Sequence, residues 1–241
     1  MSFQYFSDLH IHSCLSPCAD NSMTPDNIVK TAKSRGINLL GLTDHNSAGN
    51  CPVFWKICMK ENITPLAGME ICSSEGVHAL ALFDDLDAAL DLSDYIKTIL
   101  PAFGKTKGRS QNQLLTDEKG EITGTEKARL GDFTDKSFEE LFNIVRARNG
   151  LFIPAHIKRP YFSVYSQLGV LPELPYDMVE MYRPSKEKNI PVITDSDAHW
   201  PDRIACRMTV FDIPEQDRSL PVLEQIKKAA AAARFRVIIE D

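Results

Sequence analysis

Residues 23–45, "MTPDNIVKTAKSRGINLLGLTDH", hold one complete helix-then-strand period, and their reading decides the fold. Thr24 offers an N-cap, Pro25 stands at the first helical position, Asp26 lies in the first turn and Gly36 ends the helix. The apolar run 37–45 follows at once; it has strand length and closes on His45. Outward from this unit the alternation continues. A strand is predicted before it at "FQYFSDLHIH" (3–12), with a helix after it at "NCPVFWKICMKEN" (50–62) and a strand at "ITPLAGMEI" (63–71). Strand-length apolar runs alternating with helical patterns predict parallel βα units, in a barrel or a doubly wound sheet.

Further along, "VHALALF" (77–83) follows "GMEI" across only "CSSEG" (72–76), too short for a helical crossover, so the chain is expected to reverse tightly there. A helix is predicted at 87–100, and a polar insertion over 103–136 that contains a small hairpin turned at Glu118–Gly120. Next comes a helix at 137–150 opened by a Ser137/Glu140 capping box. Strands are expected at "LFIPAH" (151–156), "DMVEMY" (177–182) and "IPVITDSDAH" (190–199), then a helix near 219–233 and a terminal strand at "FRVIIE".

At 241 residues, with 43% hydrophobic and 25% charged residues, the chain can bury its own core, and a single domain over 1–241 is expected. A net charge of -6 gives it no basic footprint, which argues against duplex nucleic acid while leaving small anionic substrates open if cations supply local positive charge. No apolar run is long enough to span a bilayer and no leader pattern is read, so a cytoplasmic protein with reduced thiols and no membrane partner is expected. Cys14 and Cys18 have the spacing of half a zinc site. No second pair accompanies them, so they read as structural or incidental.

The six histidines are the informative residues. His10 and His12 stand two apart on one strand face; His45, His156 and His199 also end predicted strands, and in a parallel βα fold such ends share one rim. His78 begins its strand, but the reversal at 72–76 returns it to the rim reached by Glu70. Asp197 repeats the same-face spacing with His199. Asp8 and Asp44 are placed to hold imidazole tautomers. Mixed imidazole and carboxylate donors suit Zn, Mn or Fe better than Ca or Mg.

The segments "DLHIHS", "GLTDHN", "AGMEI" with "VHALAL", "PAHI" and "SDAHW", in this order, resemble the polymerase and histidinol phosphatase (PHP) superfamily of metal-dependent phosphoesterases. The resemblance implies a distorted seven-stranded (βα) barrel with two to three divalent transition-metal ions at one rim. It implies a first ion on His10, His12, Glu70 and Asp197, a second on Glu70, His78 and His156, and a third on His45, His199 and Asp20. "SCLSPCAD" is longer than the family's usual spacing, so the loop must bulge for Asp20 to reach. The implied chemistry is hydrolysis of a phosphate ester by metal-bound hydroxide. Arg159, and by location Lys158 or Arg183, would steady phosphate oxygens, and His199 or Asp197 would assist the leaving group. The expected substrate is a small phosphomonoester such as histidinol phosphate, or a nucleotide or short oligonucleotide end. Lys105, Lys107 and Arg109 of the insertion are either over that substrate or in a solvated loop. Two rivals stand beside this reading: an amidohydrolase-type metal hydrolase and a non-catalytic metal-binding scaffold.

Overall fold

The computed structural model describes residues 3–101 and 113–240. Lys105, Lys107 and Arg109 lie outside the described residues. The fold is mixed α/β, with six helices among the described residues and a curled seven-stranded sheet of the (βα) barrel type. Its strands are β1 (Phe3–Asp8), β2 (Leu39–Leu42), β3 (Thr64–Cys72), β4 (His78–Phe83), β7 (Leu151–Pro154), β10 (Arg207–Ile213) and β11 (Phe235–Ile239), in spatial order β11-β10-β1-β2-β3-β4-β7. The insertion's hairpin, β5 (Leu114–Thr116) with β6 (Ile122–Thr125), and the parallel pair β8 (Val179–Glu180) with β9 (Val192–Ile193) stand outside that sheet.

Residues alternate between two apolar layers. Leu40, Leu42, Ala67, Met69, Ala81 and Phe83 point toward helices α1 (Pro25–Ser34), α2 (Cys51–Glu61), α3 (Leu86–Ile99) and α4 (Phe138–Arg146). Leu39, Leu66, Leu80, Leu82, Leu151 and Phe211 point the other way, toward α6 (Val222–Ala231) and toward Met178 and Ile193 beside the short β8–β9 pair. A sheet buried on both faces needs continuous apolar strands, and "LLGL" and "HALALF" supply them. The helix starts are as the sequence predicts: Thr24 accepts from the Asn27 amide, and Ser137 and Glu140 cap each other's backbone.

The strand directions correct the sequence reading. Within the seven-stranded sheet only β1, β2 and β3 pair in parallel; β4 runs antiparallel to both β3 and β7, and β10 runs antiparallel to β1 and β11. Strand β10 lies in "RMTVFDI", where no strand was predicted, because Arg207 and Asp212 break its apolar signature and its partner is two hundred residues away in sequence. A fifth helix, α5 (Val164–Leu168), was also missed. "FQYFSDLHIH" stops being a strand at Asp8; beyond it the strand pairing shrinks to a parallel bridge between Ile11 and Ala198.

Two glycines permit the close approach of strands on which the site depends. A Cβ on Gly68 would sit 2.2 Å from the Ala81 carbonyl oxygen, so β3 and β4 can pair in this register only with glycine there. One on Gly41 would stand 2.7 Å from the Leu9 carbonyl oxygen, just where the chain leaves β1 for His10.

Candidate metal centre

Every strand that points toward the rim delivers a polar side chain at its end. His10 and His12 follow β1, His45 follows β2, Glu70 lies near the end of β3, His156 follows β7, and Asp197 and His199 follow β9. The reversal at 72–76, closed by the Ser73 amide on the Val77 carbonyl at 2.9 Å, brings His78 at the start of β4 back to Glu70. His156 and Asp197 hold left-handed backbone, φ 32° and 50°, a conformation that costs of order 1 kcal/mol or more and persists where the surroundings impose it.

Glu70 is the centre. Its Oε1 is 2.8 Å from His78 Nδ1, 2.9 Å from His156 Nε2 and 3.5 Å from His10 Nε2, and its Oε2 is 3.2 Å from His45 Nδ1 and 3.3 Å from His12 Nε2. Asp197 Oδ1 faces His10 and His12 from the other side at 3.4 and 3.2 Å.

The surrounding hydrogen bonds decide where the protons are. His10 Nδ1 donates to Glu180 at 3.0 Å, so the neutral ring keeps its lone pair on Nε2. Ser16 Oγ donates to Asp44 Oδ1 at 2.7 Å, so it must accept from the His45 amide and from His12 Nδ1, both at 3.0 Å. Neutral His12 therefore also presents a bare Nε2. These two nitrogens lie 3.3 Å apart, both facing carboxylate oxygens with no donor between them. Neutral acceptors do not pack against each other in a buried site without a cation to share. Two donor atoms about 2.1 Å from one ion lie about 3.0 to 3.4 Å apart at octahedral to tetrahedral angles, which is the spacing seen. The donor set fits a metal centre.

Charge shows what a cation would replace. Burial alone would push the His10 and His12 rings down, but Glu180, Asp197 and Glu70 around them outweigh it, raising His10 well above the ordinary imidazole value and His12 to about 9, so that without metal the rings hold protons toward these carboxylates and a divalent ion would take the protons' place. Glu70 is held well below the usual carboxylate range, its burial overcome by His78, His10 and His45. His199 is pushed down to about 4, first by burial and then by His12. Its Nδ1 donates to the Asp197 carbonyl at 2.8 Å, so neutral His199 offers a lone pair at Nε2 and has no proton to give there. Asp197 is held well below the ordinary carboxylate range by His10 and His12 against its burial.

Among the described residues, three groups of donors have ligand atoms all within 4.8 Å of one another: His10, His12 and Glu70; His45, Glu70 and His78; and His12, Cys18, His45 and His199. Cys18 stands in the third group, where Asp20 was expected. The Asp20 carboxylate faces away, exposed, and accepts from the Ser22 amide at 2.9 Å and the Ser22 hydroxyl at 2.6 Å.

Other expectations shift in role. Asp44 holds His12 only through Ser16, and Asp8 touches no ring: it accepts from the Ser196 and Ala205 amides and ties down the loop that carries Asp197. Arg159 donates to Asp197 Oδ2 and to the Tyr182 hydroxyl, both at 3.2 Å. Lys158 pairs with Ser185 and Glu187, away from the centre, and Arg183 is exposed. Sequence reasoning missed Glu180, fully buried, which receives the His10 ring and the His156 amide, and Tyr182, whose hydroxyl donates to Asp197. The available signal was an acid inside the apolar run "MVEM".

The sequence pattern of the PHP domain family matches residues 8–199. The chain is a PHP domain protein. Its fold is that of PHP-family metal-dependent phosphoesterases, a (βα) barrel also seen in the lesion-specific endonuclease PfuEndoQ of Pyrococcus furiosus. That enzyme is 20% identical with a TM-score of 0.67, over 95% of this chain and 56% of the other. A second structure, Endonuclease Q in complex with a 27-mer duplex carrying an abasic lesion at the active site, is 21% identical with a TM-score of 0.68, over 95% and 57%. A two-domain protein of Bacteroides vulgatus containing a predicted PHP-like metal-dependent phosphoesterase shares 16% identity with a TM-score of 0.58, over 99% and 66%. In sequence, the DNA polymerase III α subunit of Treponema pallidum is 37% identical over 71 residues, 30% of this chain and 6% of that one. The chain thus spans little more than half of the endonuclease chains and a small part of the polymerase.

The duplex complex overturns the exclusion of duplex nucleic acid. Net charge is a property of the whole surface, and a rim that gathers cations sets its own local field. No helix among the described residues is long and apolar enough to cross a membrane.

Proposed function

We propose that residues 1–241 work as one catalytic unit that hydrolyses phosphate esters at this rim, on substrates that carry a nucleobase beside the scissile phosphate. The observation that carries the hydrolytic reading is the convergence of the buried Nε2 atoms of His10 and His12, 3.3 Å apart between two carboxylates. Bound divalent ions (Zn, Mn or Fe) would supply two things there: a water acidic enough to attack near neutral pH, and withdrawal of charge from the phosphoryl oxygens. The chain's own residues do the rest. His10, His12, Glu70 and Asp197 would hold one ion, with His78 and His156 sharing Glu70 for a second. Glu180 and Ser16 fix the tautomers, and Arg159 keeps a fixed cation beside Asp197 with 24% of its side chain open to the rim.

The nucleobase reading rests on aromatic rings around the mouth. Phe162 is 39% exposed and stacks on His78 with centroids 4.9 Å apart and planes 11° from parallel; Tyr161, Phe133 and Trp200 are also exposed, Trp200 next to His199. Such faces stack bases without reading sequence. The likeness to Endonuclease Q, solved with a DNA substrate, supports the same class.

The test is turnover of bis-p-nitrophenyl phosphate, p-nitrophenyl phosphate, histidinol phosphate, single-stranded and abasic duplex oligonucleotides, and p-nitroacetanilide, by metal-reconstituted protein and by Glu70→Ala. Phosphodiester cleavage lost in Glu70→Ala and weakened in Phe162→Ala is expected. Turnover of the anilide alone sinks the phosphoester reading in favour of an amidohydrolase, and metal-loaded protein inert on every substrate favours a scaffold.

A further inference from the structure

The third donor group is built around a thiol. Cys18, His45, His199 and His12 bring one ligand atom each within 4.8 Å of the others. His199 has committed Nδ1 to the Asp197 carbonyl, and His45 stands with Nδ1 3.2 Å from Glu70, so this group adjoins the Glu70 centre without duplicating it. The rings are already in place: His12 lies 4.4 Å from His199 and 4.6 Å from His45, centroid to centroid. His12, completely buried, turns toward them an Nε2 that meets no hydrogen-bond donor when neutral. The carboxylate of this loop, Asp20, is spent on Ser22.

Resting on the metal-centre reading above, we propose that the Cys18 thiolate, with His45 and His199, binds a divalent cation at the loop side of the rim, and that this position selects zinc over manganese or magnesium. Thiolate and imidazole are borderline-soft donors, which favour zinc and cobalt, whereas the half around Glu70 adds the carboxylates of Glu70 and Asp197, oxygen donors that harder ions accept. On binding, the Cys18 S–H proton is released to solvent and the sulfur takes the cation in its place.

Two readouts test this without any assay of catalysis. Cys18 is exposed and the other five cysteines are buried, so Ellman's reagent on native protein reads mainly this thiol. Zinc is expected to slow its modification at least tenfold, with manganese leaving it unchanged and chelation restoring the fast rate. Cobalt(II)-substituted protein is expected to show a near-ultraviolet thiolate-to-cobalt charge-transfer band. Cys18→Ser should lose that band and one equivalent of tightly bound zinc while keeping the melting temperature of the metal-free protein, and Cys18→His should regain the equivalent without the band. Equal thiol reactivity with and without zinc, or undiminished zinc content in Cys18→Ser, overturns the proposal. Because neither readout involves hydrolysis, a protein that protects Cys18 but cleaves no phosphate ester fails only the functional reading, and the converse fails only this one.

Discussion

Glu70 and Glu180 are the same side chain, equally removed from water at 1% and 0% exposure, and both lie against histidine rings. Their partners are opposite in kind. Glu180 receives N–H groups, one from the His10 ring and one from the His156 backbone, and is a closed hydrogen-bonding site. Glu70 faces five imidazoles, two of which, His10 and His12, have their only fixed protons turned outward to Glu180 and Ser16. The difference separates a carboxylate that builds the site from one that works in it: the first is finished by the fold, the second is finished only by a cation.

The largest expected effect comes from breaking the open member. Glu70→Ala removes the atom pair shared by both histidine groups, so metal content should fall by at least one equivalent and hydrolysis to background, measured by elemental analysis and phosphodiester turnover. The fold should survive, because the removed charge leaves no stranded partner among the backbone amides. If Glu70→Ala keeps its metal, the contrast with Glu180 is false.

Glu180→Gln comes next. An amide still accepts from His10 and from the His156 backbone, but it no longer carries the charge that makes the His10 ring a strong donor. Loss of such a supporting partner typically costs about 10- to 100-fold in metal affinity or activity. A competition titration with a chromophoric chelator measures it. A loss as severe as that of Glu70→Ala would mean that Glu180 touches metal itself. Tyr182→Phe, which removes one donor from Asp197 and leaves Arg159 in place, should cost less, about tenfold in turnover, as one charge-assisted hydrogen bond of about 1.5 kcal/mol implies.

The same contrast explains what the sequence revealed. The working residues were legible because strands buried on both faces read as apolar runs, and a histidine or acid at the end of such a run stands out: His45 after "LLGL", His156 after "LFIP", Glu70 in "AGMEI". His78 was legible through chain length alone, since five residues allow only a reversal. The supporting residues were hidden. Glu180 sits in a strand of two residues, where alternation cannot say which way a side chain points. β10 was obscured by its own polar letters, although it pairs with five consecutive residues of β1. The loop 13–23 has no period at all, so sequence offered no means of choosing between Cys18 and Asp20. That choice depends on turns, in which the Ser16 carbonyl accepts from the Ala19 amide and the Asp20 carbonyl from the Met23 amide.

Asp20 carries the smallest expected effect. In Asp20→Asn the side-chain oxygen still accepts from Ser22, the loop remains pinned by the Asp20 amide on the His199 carbonyl at 2.9 Å, and the substituted group faces water. Metal content and turnover should therefore change by no more than about twofold, the scale of an ordinary surface substitution. A loss of a full metal equivalent would show that the loop swings Asp20 inward when the rim is loaded, which would make the third group an oxygen site and move Cys18 to its edge. Run beside Cys18→Ser, the pair decides between thiol and carboxylate two residues apart, of which Cys18 stands beside His45 and His199 and Asp20 is held by Ser22.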